Sequence, residues 1–179
     1  MKADPPQRFA LDTIATPIGN MLIGVNAQER LCIADFADYE PRMRLLLRRQ
    51  YPSGNVELTK GRAPNHIRDP LSAYFGGELT AIDSIAVETG GTEFQRRLWR
   101  ALRDIPAGQT TTYGDLARRL NAPQAVRAIG AANGANPISV VLPCHRVIGA
   151  DGRLTGYGGG IARKRWLLTH EGTAFRDAK

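Results

Sequence analysis

The stretch PCHRVIGADGRLTGYGGG, residues 143–160, sets a cysteine, a histidine and an arginine side by side ahead of a glycine-rich run. A cysteine attacks as its thiolate, which needs a base or a positive charge close by, so Cys144 with His145 is a candidate nucleophile and base. Pro143 removes a backbone donor just before the thiol and interrupts pairing in the otherwise β-rich run ISVVLPCHRVIG. Along a strand adjacent side chains face opposite ways, so His145 would reach Cys144 only through a bend or a bridging water. On the dipeptide alone, chance adjacency stays open. Glu171 supplies a carboxylate to orient His145, at the end of GGIARKRWLLTHEG, which reads as a helix with Trp166, Leu167 and Leu168 turned inward and Gly172 as its stop. Asn136, just before Pro137, is placed for its amide to tie the Cys144 strand to the helices upstream. The GYGGG run lacks the acidic ribose partner of a dinucleotide loop and precedes a basic helix, so no cofactor is expected.

The helices that must position this segment lie in TTYGDLARRLNAPQAVRAIGAANGANP, residues 111–137. Thr112 with Asp115 opens the first, Asn121-Ala122 interrupts, Pro123 suits the first turn of the second, and Asn133-Gly134 ends it. A helix-turn-helix and a purely structural hairpin both fit this pattern. The second helix offers small residues, Ala128, Gly130 and Ala131, with Arg127 as its only long polar side chain. A helix that reads base edges presents Arg, Asn or Gln. If DNA is the partner, this one would press its backbone against it without reading sequence and leave Arg127 free to enter the base stack, which suits base flipping. Upstream, Thr92 with Gln95 forms a capping-box pattern, and Phe94, Leu98, Leu102 and Ile105 recur at helical spacing.

The chain has 179 residues, 42% of them hydrophobic, enough for real cores. Its charge is uneven: residues 1–90 carry 10 Lys+Arg against 11 Asp+Glu, whereas residues 91–179 carry 14 against 6. A polyanion partner for the second half is one reading of that asymmetry, and a solubilising surface is the other. No apolar run approaches a membrane span, and the opening MKADPPQRFALDTIATP has none of signal-peptide length, so a cytoplasmic protein is expected. Cys32 and Cys144 lie far apart, and His66, His145 and His170 form no cluster, so neither disulfides nor a metal site are expected. In the first half, RFALDTIA, NMLIGV and RLCIADF read as an antiparallel meander with Cys32 a buried strand residue. PRMRLLLRRQ and NHIRDPLSAYFGG read as helices, the second broken at Pro70. Gly90-Gly91 marks the boundary.

PCHRVIG, preceded by RAIGAANGANPISVVL and followed by TGYGGG and WLLTHEG, closely resembles the methylated-DNA–protein-cysteine methyltransferases, the O6-alkylguanine-DNA alkyltransferases of the bacterial Ogt type. The likeness runs from IATPIG through TGGTEFQRRLWRALRDIPAGQTTTYGDLA and spans nearly the whole chain. It implies an α/β N-terminal ribonuclease H-like structural domain with an antiparallel sheet (residues 1–90), then a mainly α winged-helix-like DNA-binding and catalytic domain (residues 91–179) whose wing is IGADGRL. Cys144 would accept the alkyl group, with His145 as base through a water, Glu171 orienting it and Asn136 as the hinge. Tyr113 would rotate the target phosphate and donate to the guanine ring, and Arg127 would replace the flipped base, with Ala128, Gly130 and Ala131 against the DNA. Val147, Tyr157, Gly158, Gly159 and Lys164 would form the pocket.

The implied partner is double-stranded DNA carrying O6-alkylguanine, bound in the minor groove by a monomer, with cooperativity along the DNA left open. The implied reaction is stoichiometric, irreversible transfer to Cys144, with O4-methylthymine a second substrate. Some relatives bind zinc in the first domain through Cys and His, but only Cys32 and His66 stand there in this chain, so no metal is expected. Gly158 stands where some relatives carry a serine and would leave room for larger alkyl groups. Other classes stay in view. A damage-binding relative would lack the cysteine, a winged-helix regulator would need base-reading side chains, and a cysteine hydrolase would need an oxyanion hole.

Overall fold

In the computed structural model, which describes residues 5–51 and 55–177, the three apolar runs of the first half form β1 (Gln7–Ile14), β2 (Met21–Val25) and β3 (Leu31–Phe36), each antiparallel to the next. The turn before β2 closes on Gly19, at φ 115°, and the turn before β3 on Asn26, whose side-chain oxygen accepts from the Gln28 and Arg30 amides. A fourth strand, β4 (Val56–Lys60), was not expected from the sequence. It pairs parallel to β1, giving the order β3-β2-β1-β4, so the sheet is mixed and the purely antiparallel expectation is corrected. VELTK alternates, but a parallel pairing needs a crossover that the strand's own residues do not announce.

That crossover contains α1 (Glu40–Gln50), which buries Met43, Leu46 and Leu47. Met43 and Leu47 join Phe9, Leu22, Cys32 and Ile33 in one core cluster. Burial pushes the Cys32 thiol up to about 12, so it is a packing residue and not a nucleophile. The helix α2 (Asn65–Phe75) runs through Pro70 instead of breaking there. Ile67, Leu71 and Tyr74, at i, i+4 and i+7, bury one continuous face, and that packing outweighs the single hydrogen bond the ring removes.

The chain folds as two compact units, residues 1–92 and 93–179. The second is mainly helical: α3 (Glu93–Arg103), β5 (Thr111–Thr112), α4 (Tyr113–Arg119), α5 (Val126–Gly134), β6 (Val147–Ile148) and α6 (Ile161–His170). Leu98, Trp99 and Leu102 of α3 are buried, and Trp99 Nε1 donates to the Ala132 carbonyl at 2.9 Å, tying α3 to α5. Thr112 caps α4, accepting from the Asp115 amide at 3.1 Å. β5 and β6 pair in parallel, Thr111 with Val147 and Thr112 with Ile148, which brings the start of α4 beside the segment after Cys144.

Two sequence expectations here are corrected. Pro123 precedes α5 by three residues instead of occupying its first turn, because 122–125 form a separate turn closed by the Ala125 amide on the Ala122 carbonyl. Leu167 and Leu168 point inward, but Trp166 is only half-buried and stacks on His170 with centroids 4.6 Å apart. No helix among the described residues is long and apolar enough to cross a membrane. Pro70→Ala gives the helix back a donor for the His66 carbonyl, so a rise of about 1 kcal/mol in denaturant-unfolding stability is expected, with about 3 kcal/mol as the ceiling for a proline inside a helix. A fall in stability would show that the ring itself is the better-packed group.

Candidate active site

Cys144 does not lie on a strand. It opens a 3-10 turn, Cys144–Arg146, and only Val147–Ile148 is extended. Pro143 stands at the entrance of that turn, where its missing N–H costs nothing, and its carbonyl accepts from the Arg146 amide at 3.0 Å. A 3-10 turn rotates successive side chains by roughly 120° where a strand rotates them by 180°. His145 and Arg146 can therefore both reach Glu171. Cys144 itself is 6% exposed, so an electrophile has to be brought to it.

The segment before the cysteine is held by one side chain. Asn136, 1% exposed, donates from Nδ2 to the Leu142 carbonyl at 2.7 Å and accepts at Oδ1 from the Ile138 amide at 2.9 Å. The loop it closes contains Val140 at φ 73°, a left-handed conformation that a β-branched residue rarely adopts. The sequence pattern suggested that Asn136 ties a strand to the helices. The structure has it clamp a strained loop, while Asn133 on α5 reaches the Cys144 carbonyl at 3.5 Å.

Glu171 caps α6 and is 4% exposed. Its Oε1 accepts from His145 Nε2 at 2.9 Å and from Arg146 Nη2 at 2.8 Å, and its Oε2 accepts from Arg146 Nε at 3.0 Å. Burial alone would raise its pKa, but the bonds and charges of His145 and Arg146 hold the carboxyl well below the usual range. An ionised carboxylate only accepts, so His145 carries its proton on Nε2 and its Nδ1 is the basic nitrogen. That Nδ1 is buried with no hydrogen-bond partner among the described residues. Burial also lowers the imidazole pKa against the pull of Glu171, so His145 is neutral at pH 7 and able to take a proton.

The remaining candidates surround this network. Tyr113 opens α4, half-buried, with its hydroxyl 2.7 Å from Thr155 Oγ1. A Cβ at Gly130 would stand 4.0 Å from the Tyr113 ring. Lys164 is fully buried, and its Nζ donates to the Val147 carbonyl at 2.6 Å. Burial brings its pKa down to about 8. Lys164 thus occupies the carbonyl of Val147, a residue whose backbone the family resemblance places at the pocket. Tyr157 and Gly158 are half-buried, and Gly159 is buried with its carbonyl accepting from Arg163 Nη1 at 3.1 Å. Arg127, Ala128 and Ala131 are exposed along α5, whereas Ile129, Ala132 and Asn133 face inward.

The sequence pattern gave Arg146 and Thr155 no part in the site and read Asn133 only as a helix end. Arg146 is 3% exposed and donates from Nη1 to the Ile105 carbonyl at 2.5 Å as well as to Glu171. A strand would have sent it away from His145, so only recognition of the 3-10 turn could have found it. No group of three His, Cys, Asp or Glu side chains that could hold a metal occurs among the described residues.

Two predictions follow from this network. Arg146→Ala leaves Glu171 buried without its cation, so a loss of about 3–5 kcal/mol in unfolding free energy is expected by denaturation. The folded pKa values of His145 and Glu171 are both depressed, so both stabilise the fold above their unfolded values. Acidification from pH 7 should lower denaturant midpoints, first through His145 below about 6.5 and then through Glu171 below about 4.3. Midpoints that rise on acidification would contradict this.

Residues 93–173 match the model of the 6-O-methylguanine DNA methyltransferase DNA binding domain. The chain is 50% identical over 165 residues to a methylated-DNA–protein-cysteine methyltransferase of Salmonella typhimurium, an alignment covering 92% of this chain and 96% of that one. Among solved structures, Mycobacterium tuberculosis O6-methylguanine methyltransferase is similar with a TM-score of 0.75 at 42% identity, over 91% of this chain and 92% of that chain. The Mycobacterium tuberculosis OGT structure in complex with DNA gives a TM-score of 0.74 at 41% identity, over 92% of each. A likeness that spans both units and includes the Cys144 segment is one of whole architecture, and on it the chain belongs to the methylated-DNA–protein-cysteine methyltransferases.

Proposed function

We propose that this protein repairs DNA by direct reversal, moving the alkyl group of O6-methylguanine, and of O4-methylthymine, onto its own Cys144. The observation that carries the reading is the buried, partnerless Nδ1 of a neutral His145, oriented by an ionised Glu171 and one residue from the Cys144 thiol. His145 takes the thiol proton through a bridging water, and the thiolate attacks the alkyl carbon. The S–C bond forms as the C–O bond breaks. Guanine departs with its developing charge met by a hydrogen bond from Tyr113. Asn136 keeps the cysteine turn in place, and Tyr157, Gly158, Gly159, Lys164 and the Val147 backbone shape the pocket.

A base reaches a thiol this buried only by leaving the duplex. The side of α5 with exposed Ala128 and Ala131 and half-buried Gly130 lets backbone approach DNA closely, with Arg127 filling the gap left in the stack. In this reading residues 93–179 are winged-helix-like, the wing being the 149–153 turn closed by the Gly149 amide on the Arg153 carbonyl at 2.9 Å. They bind the minor groove as a monomer in the cytoplasm. Residues 1–92 are a ribonuclease H-like structural domain. Gly158 leaves space for larger alkyl groups.

A methyl thioether offers no leaving group and no second acceptor is present in the proposed chemistry, so each molecule acts once. Product should plateau at about one alkyl group per protein molecule, and continued turnover would contradict the mechanism. Arg127→Ala should slow repair of duplex DNA far more than reaction with free O6-benzylguanine, because extruding a paired base costs a few kcal/mol. Equal losses on the two substrates would remove the stacking role.

A further inference from the structure

Thr155 stands between two groups of the pocket. Its hydroxyl is 2.7 Å from the Tyr113 hydroxyl and 3.3 Å from Lys164 Nζ. The three N–H bonds of Lys164 meet three oxygens: the Val147 carbonyl at 2.6 Å, and the Thr155 carbonyl and Oγ1 at 3.3 Å each. An ammonium only donates, so Thr155 Oγ1 must accept from it. Thr155 keeps its single proton, and the 2.7 Å contact lets it donate that proton to the Tyr113 oxygen. When Thr155 is the donor of that contact, Tyr113 keeps its own proton for a group entering the pocket. Burial raises the phenol above its usual pKa and so retains that proton at neutral pH.

We propose that Thr155 is a positioning residue that fixes the donor direction of Tyr113, aiming its O–H at the ring of the extruded base. This rests on the alkyl-transfer reading above. A free phenol hydroxyl turns about its C–O bond and can point its proton at whichever acceptor is nearest, including the threonine oxygen itself. Lys164 biases that choice: its ammonium occupies one of the two threonine lone pairs, which favours the arrangement in which Thr155 donates to Tyr113. The transition state then meets a donor already aligned, which is the form of stabilisation that needs no reorganisation during reaction.

Single-turnover transfer from duplex DNA carrying one O6-methylguanine tests this, with wild type, Thr155→Val, Thr155→Ser, Tyr113→Phe and the Thr155→Val/Tyr113→Phe double variant. Thr155→Val keeps the shape and deletes the hydroxyl, and a roughly tenfold slower rate constant is expected. Thr155→Ser should stay within about twofold of wild type, and Thr155→Val should add less than about twofold once the Tyr113 hydroxyl is gone. The plateau amplitude counts competent molecules, so partial misfolding lowers the amplitude and leaves the rate constant readable. If Thr155→Val yields no plateau at all, Thr155→Ala makes the same deletion without the bulk. Wild-type speed in Thr155→Val, an equal loss in Thr155→Ser, or an undiminished loss in the Tyr113→Phe background would each overturn the proposal. A wild-type protein that transfers nothing would instead overturn the reading on which it rests.

Discussion

The buried carboxylate of Glu171 is the constraint on which the rest of the C-terminal unit depends. A charge at 4% exposure survives only if fully engaged, and here a two-pronged arginine contact and an imidazole N–H provide that engagement. Each partner brings its own requirement. Arg146 must also bury its outer nitrogen, which reaches the Ile105 carbonyl just beyond α3, and the helix end is thereby fixed to the cysteine turn. The following chain then turns at Gly108, φ 84°, where a Cβ would stand 3.4 Å from the Glu171 carbonyl. His145 must present Nε2 to the carboxylate, which leaves Nδ1 as the acceptor. The tautomer, the helix contact and the turn are thus consequences of one buried charge.

The two sides of this unit use opposite physics. Around Cys144, His145 Nε2, Arg146, Glu171 and Asn136 are buried and paired, so their directions are set before any ligand arrives and His145 Nδ1 is left as the open acceptor, which is the preorganisation that catalysis by fixed dipoles requires. Beyond Val126 and Arg127 in its first turn, the exposed face of α5 carries only Ala128, Ala131 and Gly134. A face of that kind gains little from any one base sequence. It suits a partner recognised by its backbone and by the ease with which one of its bases leaves the stack. Val140 in its left-handed conformation lies in the loop that Asn136 closes, and shows that the loop is held in place by its clamp and not by local preference.

Local patterns in the sequence were enough for much of this. β1 to β3 follow from apolar runs separated by turn residues, and the start of α4 follows from Thr112 and Asp115, which the structure pairs at 2.7 Å through their side chains. The pairing of His145 with Glu171 was legible because a carboxylate at a helix end faces back along the chain it terminates. What escaped was set by tertiary packing. β4 is a strand because β1 offers it a parallel edge, and α2 survives Pro70 because three buried side chains hold it. The 3-10 turn at Cys144 was hidden by flanking β-branched residues that argue for a strand. Once the turn was missed, Arg146 was misplaced with it, although it stands next to the histidine in the chain.

The sulfur of Cys144 is the destination of the alkyl group, and everything else in the proposed reaction depends on that. The chain carries a built-in control in Cys32, whose thiol burial pushes up to about 12. Duplex DNA carrying isotopically labelled O6-methylguanine should be incubated with the intact protein, the protein digested, and the label located by peptide mass mapping. The account predicts label on the peptide containing Cys144 and none on the peptide containing Cys32. Label on Cys32, or demethylated DNA with no label anywhere in the protein, would contradict it.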